Sequence, residues 1–406
     1  MATDYDVIIV GGGMVGASLA IALGETNSRI AVIEAVSPSS DQQPSYDDRG
    51  LALSLSSQRV LQALGLWDQV AATASPVRHV HISDQHHFGF VRLHAEVLNL
   101  PALGYVVLAR ELGQVLINRI KNTGTIDLVC PALVKAVDLR ENNIIVEIHN
   151  AGKRTSFNSK LLVAADGSQS HICEILGIGS VVKDYGQTAI VTNVTPGKPH
   201  CNTAYERFTS HGPSALLPLS EQRCAVVSTV KTENTKAFMD MTEDEFLRQL
   251  QTCFGYRLGM FRKPGTRKSY PIRLITAKEQ VRERLVVLGN AAHTIHPNAA
   301  QGFNLCLRDI AGLAEILVPA LRMGADPGQK HILNRYRDLR ARDQLNIIRF
   351  TDGLASMFYN DLPHRILVRN LGMLCVDLCP PLKRSFMRRA MGICGHQPGL
   401  VRGIPL

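Results

Sequence analysis

Apolar residues at the start of the chain follow the pattern of a buried strand, a helix and a second strand. Residues 5–10 form a short and nearly continuous apolar run, which is typical of a strand covered on both faces. Residues 17–23 are small and apolar with good helix formers, and residues 29–34 form a second apolar run ending in Glu34. Together these segments predict one complete βαβ unit.

Farther along the chain, helical spacing alternates with strand-rich segments. Helices are predicted over residues 51–66, 109–121, 242–253 and 304–321, and over most of the chain from residue 329 onward. Strands are predicted within residues 77–108, 126–166, 181–275 and 285–289. Residues 37–48 are rich in Ser, Pro, Gln and Asp and predict a mobile loop. No internal repeat is present, so the pattern indicates a mixed α/β chain.

A glycine motif connects the first predicted strand to the first helix. It reads Gly11-x-Gly13-x-x-Gly16, and Glu34 follows eighteen residues after its last glycine. Glycines at these positions allow a tight turn, close approach of a pyrophosphate and close packing of helix on strand. The helix N-terminus supplies N–H groups to phosphates, and Glu34 can accept hydrogen bonds from a ribose. The motif therefore predicts a dinucleotide site.

Two further motifs follow predicted strands. Asp166-Gly167 ends the strand that begins at residue 160, and an acid at that end of an open sheet lies where ligands bind. The same dipeptide is equally typical of a simple turn. Residues 289–293 (Gly-Asn-Ala-Ala-His), Pro297 and residues 301–304 (Gln-Gly-Phe-Asn) lead into another helix. The N-terminus of that helix can stabilise negative charge on a bound group such as a reduced flavin.

The three motifs, in this order and at these spacings, resemble the para-hydroxybenzoate-hydroxylase type of FAD-dependent monooxygenase over nearly the whole chain. Within that family the chain is similar to the ubiquinone-biosynthesis hydroxylases, and most similar to the 2-octaprenyl-6-methoxyphenol hydroxylases. The narrower likeness rests on residues 48–54, 205–209, 212–219, 289–292 and 304–309. The chain departs from the wider family by carrying Cys173 for an Arg, Asn290 for an Asp and Ala300 for a Gly. The ubiquinone branch shares the Asn and often lacks the Arg.

The resemblance implies a set of FAD-binding residues. The ADP part of the cofactor is matched by Gly11, Gly13, Gly16 and Glu34. Asp166 and Gly167 match a motif that serves both FAD and NAD(P)H. The flavin and ribityl end is matched by Arg49, Arg110, Asn290, Pro297, Gln301, Gly302, Phe303 and Asn304.

The resemblance also implies the domain organisation. A Rossmann-like FAD-binding domain of the glutathione-reductase type is expected from residues 1–76, 105–180 and 281–330. An inserted β-rich substrate domain is expected from residues 77–104 and 181–280, followed by a helical C-terminal region over 331–406. Gly177-x-Gly179 lacks a third glycine, so the nicotinamide donor is not expected to have a Rossmann domain of its own.

The implied reaction is hydroxylation of the aromatic ring of a 2-polyprenyl-6-methoxyphenol in ubiquinone biosynthesis. In this family NAD(P)H reduces FAD, and O2 adds at flavin C4a to give the hydroperoxide that delivers the oxygen. The resemblance assigns no catalytic residue. His293 and His296 flank the flavin loop and are weak candidates to deprotonate the phenol, because structural hydrogen bonds are the favoured interpretation of both. Two alternatives stay open: a flavin-dependent reductase or dehydrogenase of an isoprenoid, and a non-catalytic prenyl-binding protein on the same fold.

Length and composition limit the number of domains, the cellular location and the kinds of metal or disulfide site that are expected. The chain has 406 residues, enough for two or three domains, and no apolar run of 18 residues that would predict a membrane span. It shows no basic and apolar leader, so a cytoplasmic location is expected. Nine cysteines without a C-x-x-C pair argue against disulfides and structural zinc. Five histidines lie between residues 79 and 94, where we expect no metal site because period-2 spacing alone does not make ligands converge.

The net charge of +9 is concentrated at the end of the chain, where residues 331–406 hold 12 Lys or Arg against 5 Asp or Glu. Few aromatics are interleaved with these charges, which argues against nucleic acid. Residues 360–395 combine apolar and basic positions, namely Ile366, Leu367, Leu371, Leu374, Leu378, Arg365, Arg369, Lys383, Arg384, Arg388 and Arg389. We expect this segment to contact the cytoplasmic face of the inner membrane or subunits of a ubiquinone-biosynthesis complex, or else only the core of its own chain.

Overall fold

The computed structural model describes residues 3–37, 40, 47–150, 152–359 and 363–406. Its strands in chain order are β1 (Thr3–Val10), β2 (Ile30–Ile33), β3 (Gly50–Ser54), β4 (Ser75–Val77), β5 (His79–Asp84), β6 (Phe90–His94), β7 (Gly104–Leu108), β8 (Ile126–Val129), β9 (Leu133–Leu139), β10 (Ile144–Asn150), β11 (Lys153–Ala164), β12 (Ser180–Val194), β13 (Thr203–Thr209), β14 (Gly212–Pro218), β15 (Cys224–Lys231), β16 (Lys268–Ala277), β17 (Val281–Arg282), β18 (Leu285–Val287) and β19 (His293–Thr294). Its helices are α1 (Met14–Gly24), α2 (Leu55–Ala63), α3 (Trp67–Ala71), α4 (Ala109–Lys121), α5 (His171–Ile175), α6 (Thr235–Asp240), α7 (Glu243–Phe254), α8 (Gln301–Arg322), α9 (Lys330–Tyr359), α10 (Pro363–Leu378) and α11 (Pro380–Ala390).

A largely parallel sheet with the order β17-β18-β11-β1-β2-β8 forms the first layer. Ile8 and Ile9 are neighbours in β1 and point to opposite faces, yet both are fully buried, as expected for a strand between two layers. β11 pairs with β1 in parallel and then extends to pair antiparallel with β10, which in turn pairs with β9. The carboxyl ends of β1, β2 and β11 therefore meet at one edge, the usual ligand edge of such a sheet.

Helices α1 and α8 pack side by side on one face of this sheet. Leu19 and Leu23 of α1 belong to the same buried cluster as Leu307 and Ile310 of α8. Full burial of each such side chain contributes roughly 1.5–3 kcal/mol of transfer free energy. This packing fixes the N-termini of both helices at the ligand edge of the sheet.

A second sheet, with the order β19-β16-β12-β15-β14-β13-β5-β6, stands against that edge. In β12, Ile190 packs in a buried cluster with Phe246 of α7, while Ala189 and Val191 on either side of it point to the other face. One face of this sheet is therefore covered by α7, and the other is turned toward the parallel sheet. A small third sheet, β3-β7-β4, lies between the two.

The C-terminal helices cover the junction of the two large sheets. α9 lies along α8, and α10 contacts β6. Arg369 of α10 is 4% exposed and binds Asp84 at the end of β5, with 2.6 Å between Nε and Oδ2. The expectation that Arg369 adds charge to an exposed basic face is therefore wrong, because this guanidinium serves a buried ion pair.

Most predicted elements are present, with two differences. Residues 51–54 belong to strand β3 rather than to a helix, which begins only at Leu55. Helix α6 lies within the segment 181–275 that is predicted to be rich in strands, and α5 lies in a segment for which no element is predicted. Most of the polar segment 37–48 lies outside the described residues. Among the helices of the described residues, none combines the length and the apolar character needed to cross a bilayer.

Candidate cofactor and substrate site

A cavity of about 880 Å³ lies between the ligand edge of the parallel sheet and the inner face of the second sheet. Twelve of the fourteen residues assigned to FAD line it, namely Gly11, Gly13, Glu34, Arg49, Asp166, Gly167, Asn290, Pro297, Gln301, Gly302, Phe303 and Asn304. Gly16 and Arg110 are not among its lining residues. The three motifs, distant in sequence, therefore meet around a single space.

The turn between β1 and α1 depends on glycine. Gly11 has a φ of +104°, and a β-carbon there would lie 2.4 Å from the carbonyl oxygen of Ala165. A β-carbon on Gly16 would lie 1.9 Å from the carbonyl oxygen of Gly11. Gly16 thus acts by letting α1 pack on the turn rather than by touching a ligand. Helix α1 starts after Gly13 without a side-chain cap, so its positive N-terminal end faces the cavity.

The Glu34 carboxylate holds this turn from the end of β2. Its Oε2 accepts a hydrogen bond from the Gly12 N–H at 2.6 Å, and its Oε1 accepts one from the Val36 N–H at 2.8 Å. Each carboxylate oxygen has a second lone pair. Glu34 can therefore brace the backbone and still accept hydroxyl groups from the cavity.

Asp166 and Gly167 also line the cavity, just beyond the carboxyl end of β11. The Asp166 Oδ2 accepts from the Ile172 N–H at 3.1 Å, whereas its Oδ1 is buried and has no partner among the described residues. Gly167 has a φ of +91°, and a β-carbon there would meet nothing within 4 Å. Asp166 therefore offers one fixed hydrogen-bond acceptor, and the space beside Gly167 is open to a ligand.

The loop before α8 is strained and open. Ala299 and Ala300 have φ values of 56° and 50°, a left-handed conformation that costs residues with a β-carbon about 1 kcal/mol or more each. α8 then begins without a side-chain cap, and a β-carbon on Gly302 in its first turn would enter space with no atom within 4 Å. The first turn of α8 therefore presents backbone to the cavity.

Asn304 holds this turn in place. Its Oδ1 accepts from the Ser54 N–H at 2.8 Å and from the Ser57 hydroxyl at 2.6 Å. Its Nδ2 donates to the carbonyl oxygens of Ala52 and Ala300 at 2.9 and 2.6 Å. The amide is thus fully used in fastening α8 to β3 and α2, so only its backbone is left for a ligand.

Unpaired buried polar atoms test whether this cavity suits FAD. The Oε1 of Gln301, both amide atoms of Asn298 and the Oδ1 of Asp166 are buried without a partner among the described residues. Each such group costs roughly 1–3 kcal/mol unless something pairs with it. All three side chains line the cavity. A flavin edge with mixed donors and acceptors, together with a hydroxylated side arm, supplies the partners they lack, and the residues present therefore fit FAD.

The two predicted arginines occupy different surroundings. Arg49 lines the cavity, where its Nε lies 2.8 Å from the Oδ1 of Asp47 and its guanidinium stands 4.8 Å from the ring centroid of Tyr270. Arg110 pairs with Asp48, and more than half of its side chain is exposed outside the cavity lining. A cofactor contact by Arg110 stays a prediction.

The two candidate histidines are buried beside the cavity and do not line it. His293 Nε2 lies 2.6 Å from Asp309 Oδ2, and the other oxygen of Asp309 accepts from the Arg340 Nε at 2.7 Å. Burial alone would raise the pKa of Asp309, but Arg340 and His293 outweigh it and lower that pKa to about 2. His293 therefore belongs to a buried ion network between the flavin loop, α8 and α9.

His296 has a different neighbourhood. Its Nδ1 accepts from the Asn298 N–H at 3.3 Å, its Nε2 lies 3.4 Å from the Gln187 Oε1, and its ring stands edge-on to Tyr185. Burial lowers the pKa of His296 to about 4, so the ring is neutral at neutral pH. The Nδ1 hydrogen bond lies within the loop, and the Nε2 contact joins the loop to β12.

The far half of the cavity is apolar. It is formed by the inner face of the second sheet and by β7, with Val80, Ile82, Leu103, Val191, Leu217 and Ile272 among its lining residues. Phe386 and Ala390 of α11 close one side. One acid interrupts this surface, Glu206 of β13, which the sequence motifs did not single out. Only its strand position between inward-facing Ala204 and Phe208 could have indicated that it points inward.

Two of the clustered histidines come together on the opposite side of the second sheet. His79 and His94 face each other across β5 and β6 with their Nδ1 atoms 3.0 Å apart, and their donor atoms lie within 4.8 Å of one in Glu96. A hydrogen bond between the two rings accounts for the short distance. The expected lack of convergence is therefore wrong for this pair, and the absence of a metal site stays a prediction.

Comparison with known proteins agrees with this geometry. The family model described as "FAD binding domain" matches residues 4–351. The chain is 37% identical over 404 residues to ubiquinone hydroxylase UbiL of Rhodospirillum rubrum, which covers 99% of this chain and 93% of that protein. It is 31% identical over 392 residues to 3-demethoxyubiquinol 3-hydroxylase of Escherichia coli, covering 96% and 98%.

The chain therefore belongs to the FAD-binding-domain family, and it is an FAD-dependent monooxygenase. The p-nitrophenol 4-monooxygenase PnpA of Pseudomonas putida superimposes with a TM-score of 0.81 over 98% of this chain and all of that one, at 19% identity. That likeness shows the fold. The predicted α/β architecture, with its FAD-binding fold and helical C-terminal region, is confirmed, and so is the FAD cofactor.

Proposed function

We propose that this protein hydroxylates the aromatic ring of a polyprenylated phenol, with 2-polyprenyl-6-methoxyphenol as substrate, in ubiquinone biosynthesis. One observation carries the proposal: the cavity is continuous from the three cofactor motifs to a deep apolar wall. A polar cofactor needs the first half, and a ring with an isoprenoid tail fits the second. The names of the relatives above, ubiquinone hydroxylase and 3-demethoxyubiquinol 3-hydroxylase, agree with this substrate class.

We expect the domain boundaries to follow the two large sheets, except at β19, which belongs to the FAD-binding segment and pairs with β16. The parallel sheet with α1, α4 and α8 forms the FAD-binding domain, built from residues 1–76, 105–180 and 281–330. The second sheet forms the substrate domain from residues 77–104 and 181–280, and residues 331–406 form a helical cover. NAD(P)H binds without a Rossmann domain of its own, with Asp166 and Gly167 serving both nucleotides.

The chain's residues have distinct tasks. The N-terminus of α1 and Glu34 would hold the ADP part, Asn290 and Asp166 would hold the side arm, and the first turn of α8 would present N–H groups to the flavin edge. When bound, FAD takes electrons from NAD(P)H and activates O2 as an electrophilic oxygen donor. The apolar wall orients the phenol ring and keeps water away from the reacting atoms.

The experiment is an oxygen-labelling assay on the purified holoenzyme. A 2-prenyl-6-methoxyphenol with a short tail is incubated with NADH or NADPH under 18O2, and the product is analysed by mass spectrometry. One 18O atom in the ring per molecule of O2 consumed is expected. Conversion without O2 uptake would indicate a reductase or dehydrogenase instead, and a protein without a flavin absorption spectrum would indicate a prenyl-binding role.

The ring position is tested in cells. Deleting the gene should cause accumulation of the phenol that the enzyme consumes, and its methoxy and hydroxyl pattern identifies the carbon attacked. Accumulation of 2-polyprenyl-6-methoxyphenol agrees with the proposal. Accumulation of a later intermediate would move the reaction to another ring position.

The C-terminal helices form a surface suited to a water-insoluble substrate. Helix α10 exposes three large apolar side chains, namely Leu367, Leu371 and Leu378. Their exposed fractions are 52%, 48% and 75%, which are high for leucine. Arg384 and Arg388 on α11 are exposed beside them, and the same helix sends Phe386 into the cavity wall. We propose that this surface docks on the cytoplasmic face of an anionic membrane. Each exposed arginine then contributes about 1 kcal/mol, which salt screens.

Flotation with anionic liposomes tests this docking at low and high salt. Reversing Arg384, Arg388 and Arg389 to Glu should abolish flotation. The matched control reverses Lys135, Lys153 and Arg154, three exposed charges on the β9–β11 hairpins, and should still float. Equal flotation of both variants would reject membrane docking, and pulldown of biosynthetic enzymes by the wild type alone would assign the surface to a complex.

A further inference from the structure

Glu206 is a partly buried acid that lines the apolar half of the cavity. It lies in β13 between Ala204 and Phe208, both buried, and all three point to the inner face of the sheet. Its cross-strand neighbours are Ile82 of β5 and Ala215 of β14, which also line the cavity. An ionisable group is costly in such a setting and is retained where it has a task.

The carboxyl group also reaches the cofactor loop. It accepts a hydrogen bond from the backbone N–H of Ala299, two residues before the first turn of α8. Burial raises the pKa of the Glu206 carboxyl, and the Ala299 N–H offsets that rise only in part. The carboxyl group thus lies where the apolar wall meets the loop assigned to the flavin.

The charged and titratable side chains on the elements around Glu206 contact residues other than Glu206. On β13 the ring of Tyr205 turns to the opposite face, where the guanidinium of Arg257 covers it. On β5 Asp84 is paired with Arg369, and in the cofactor loop His296 faces Tyr185 and Gln187. No charged side chain of the described residues contributes to the raised pKa of Glu206. A ligand in the cavity therefore meets this carboxylate without a competing ion pair.

We propose that Glu206 is the proton acceptor for the phenol during ring hydroxylation, a role that rests on the proposed function above. The phenol O–H bond breaks, its proton moves to a carboxylate oxygen of Glu206, and the electron pair left on oxygen is delocalised into the ring. The ortho and para carbons become more electron-rich, and one of them forms a C–O bond to the electrophilic oxygen that bound, reduced FAD and O2 would supply, while the O–O bond breaks with its electron pair left on the other oxygen. The proton on the hydroxylated carbon moves to the ring oxygen that Glu206 deprotonated, which restores aromaticity. The proton held by Glu206 goes to the other oxygen, which leaves as water.

The raised pKa suits this task. A carboxylate of ordinary pKa is a weak base toward a phenol, and burial brings the two pKa values closer together, which favours transfer. The base must be ionised to act, so the rate should rise with pH through the pKa of Glu206 and then level off. Neither histidine of the cofactor loop competes for the role, because neither lines the cavity.

The test compares Glu206→Gln with the wild type, with Glu147→Gln as a matched control on the exposed face of β10. Gln keeps an oxygen that can accept from the Ala299 N–H, so FAD content and FAD affinity should match the wild type. Hydroxylation at neutral pH should fall by about 10²- to 10⁴-fold, the usual contribution of a general base. The control should keep full activity.

Two further measurements separate a catalytic base from a structural brace. In Glu206→Gln the rate should climb with pH by about tenfold per unit, because solvent then supplies the phenolate. A phenol made more acidic by ring fluorination should recover a larger share of activity in the variant than in the wild type. The proposal is overturned if the variant keeps its neutral-pH rate, if it is slowed equally at every pH and with every phenol, or if it merely loses FAD. A wild type that hydroxylates no phenol would instead reject the proposed function.

Discussion

Replacing Gly302 by Ala should stabilise the protein without its cofactor while weakening the cofactor's binding. Gly302 has an ordinary helical conformation in the first turn of α8, and its added β-carbon would meet no atom within 4 Å. Gly→Ala at such a helical position stabilises by roughly 0.5–1 kcal/mol, chiefly through the unfolded chain. The same β-carbon enters the space assigned to the flavin edge, and a weakening of FAD binding by at least about tenfold corresponds to 1.4 kcal/mol.

Replacing Gly16 by Ala should have the opposite effect on the stability of the apoprotein. Its β-carbon would lie 1.9 Å from the Gly11 carbonyl oxygen, which belongs to the backbone and cannot rotate away. Overpacking of this kind costs about 1–3 kcal/mol or more, so the apoprotein itself should lose stability.

Urea unfolding of the apoproteins, followed by circular dichroism, gives the stability, and titration with FAD by flavin fluorescence gives the affinity. A Gly302→Ala protein that binds FAD as tightly as the wild type would refute the assignment of this turn to the flavin. A Gly302→Ala apoprotein that unfolds at a lower urea concentration than the wild type would show that the added β-carbon clashes with the protein. That result would contradict the open space in front of Gly302.

Three other predictions follow from the same loop. Asn304→Leu should cost about 2–5 kcal/mol in urea unfolding, because the buried Ser54 N–H and Ser57 hydroxyl lose their acceptor; a change below 1 kcal/mol would mean that water replaces the amide. The pKa of His296 falls from 6.5 in the unfolded chain to about 4 in the folded one, so the unfolded state binds the extra proton between these values and stability should drop by about 3 kcal/mol as pH falls from 6.5 to 4. Measuring the free energy of unfolding against pH for the wild type and for His296→Gln checks the sign. The variant should lose less stability as the pH falls, because it has no imidazole at this position. Asn290→Asp should retain FAD, because the wider family uses Asp at this position; loss of FAD with unchanged circular dichroism would reject the alignment of the third motif.

The glycine motifs were predictable because a short sequence pattern fully specifies their backbone. Gly11 needs its positive φ and Gly16 its close packing, and no other residue satisfies either requirement. Strand β3 was read as part of a helix, because Leu51 to Leu53 are apolar at spacings that fit both structures. Its pairing with β7, fifty residues later, decides the outcome.

Roles that depend on long-range contacts could not be predicted. Asn304 is expected to offer its backbone N–H to the flavin, which stays a prediction, and nothing near it in sequence reveals that its side chain fastens α8 to β3 through residues 250 positions away. Arg369 was read as surface charge, since nothing near it in sequence reveals that Asp84 lies opposite. Glu206 was overlooked because a lone acid in a strand carries no motif, and its meaning comes from the apolar wall around it.

The short strand β19 joins the cofactor loop to the substrate sheet. Thr294 and His293 pair with Ile275 and Thr276 of β16, and the Ala277 N–H donates to the Ala292 carbonyl at 2.8 Å. A hinge motion between the two sheets would have to break this ladder, so β19 couples the cofactor loop mechanically to the substrate sheet. A displacement of the loop on cofactor binding should therefore be felt at β16, whose Tyr270 and Ile272 line the cavity.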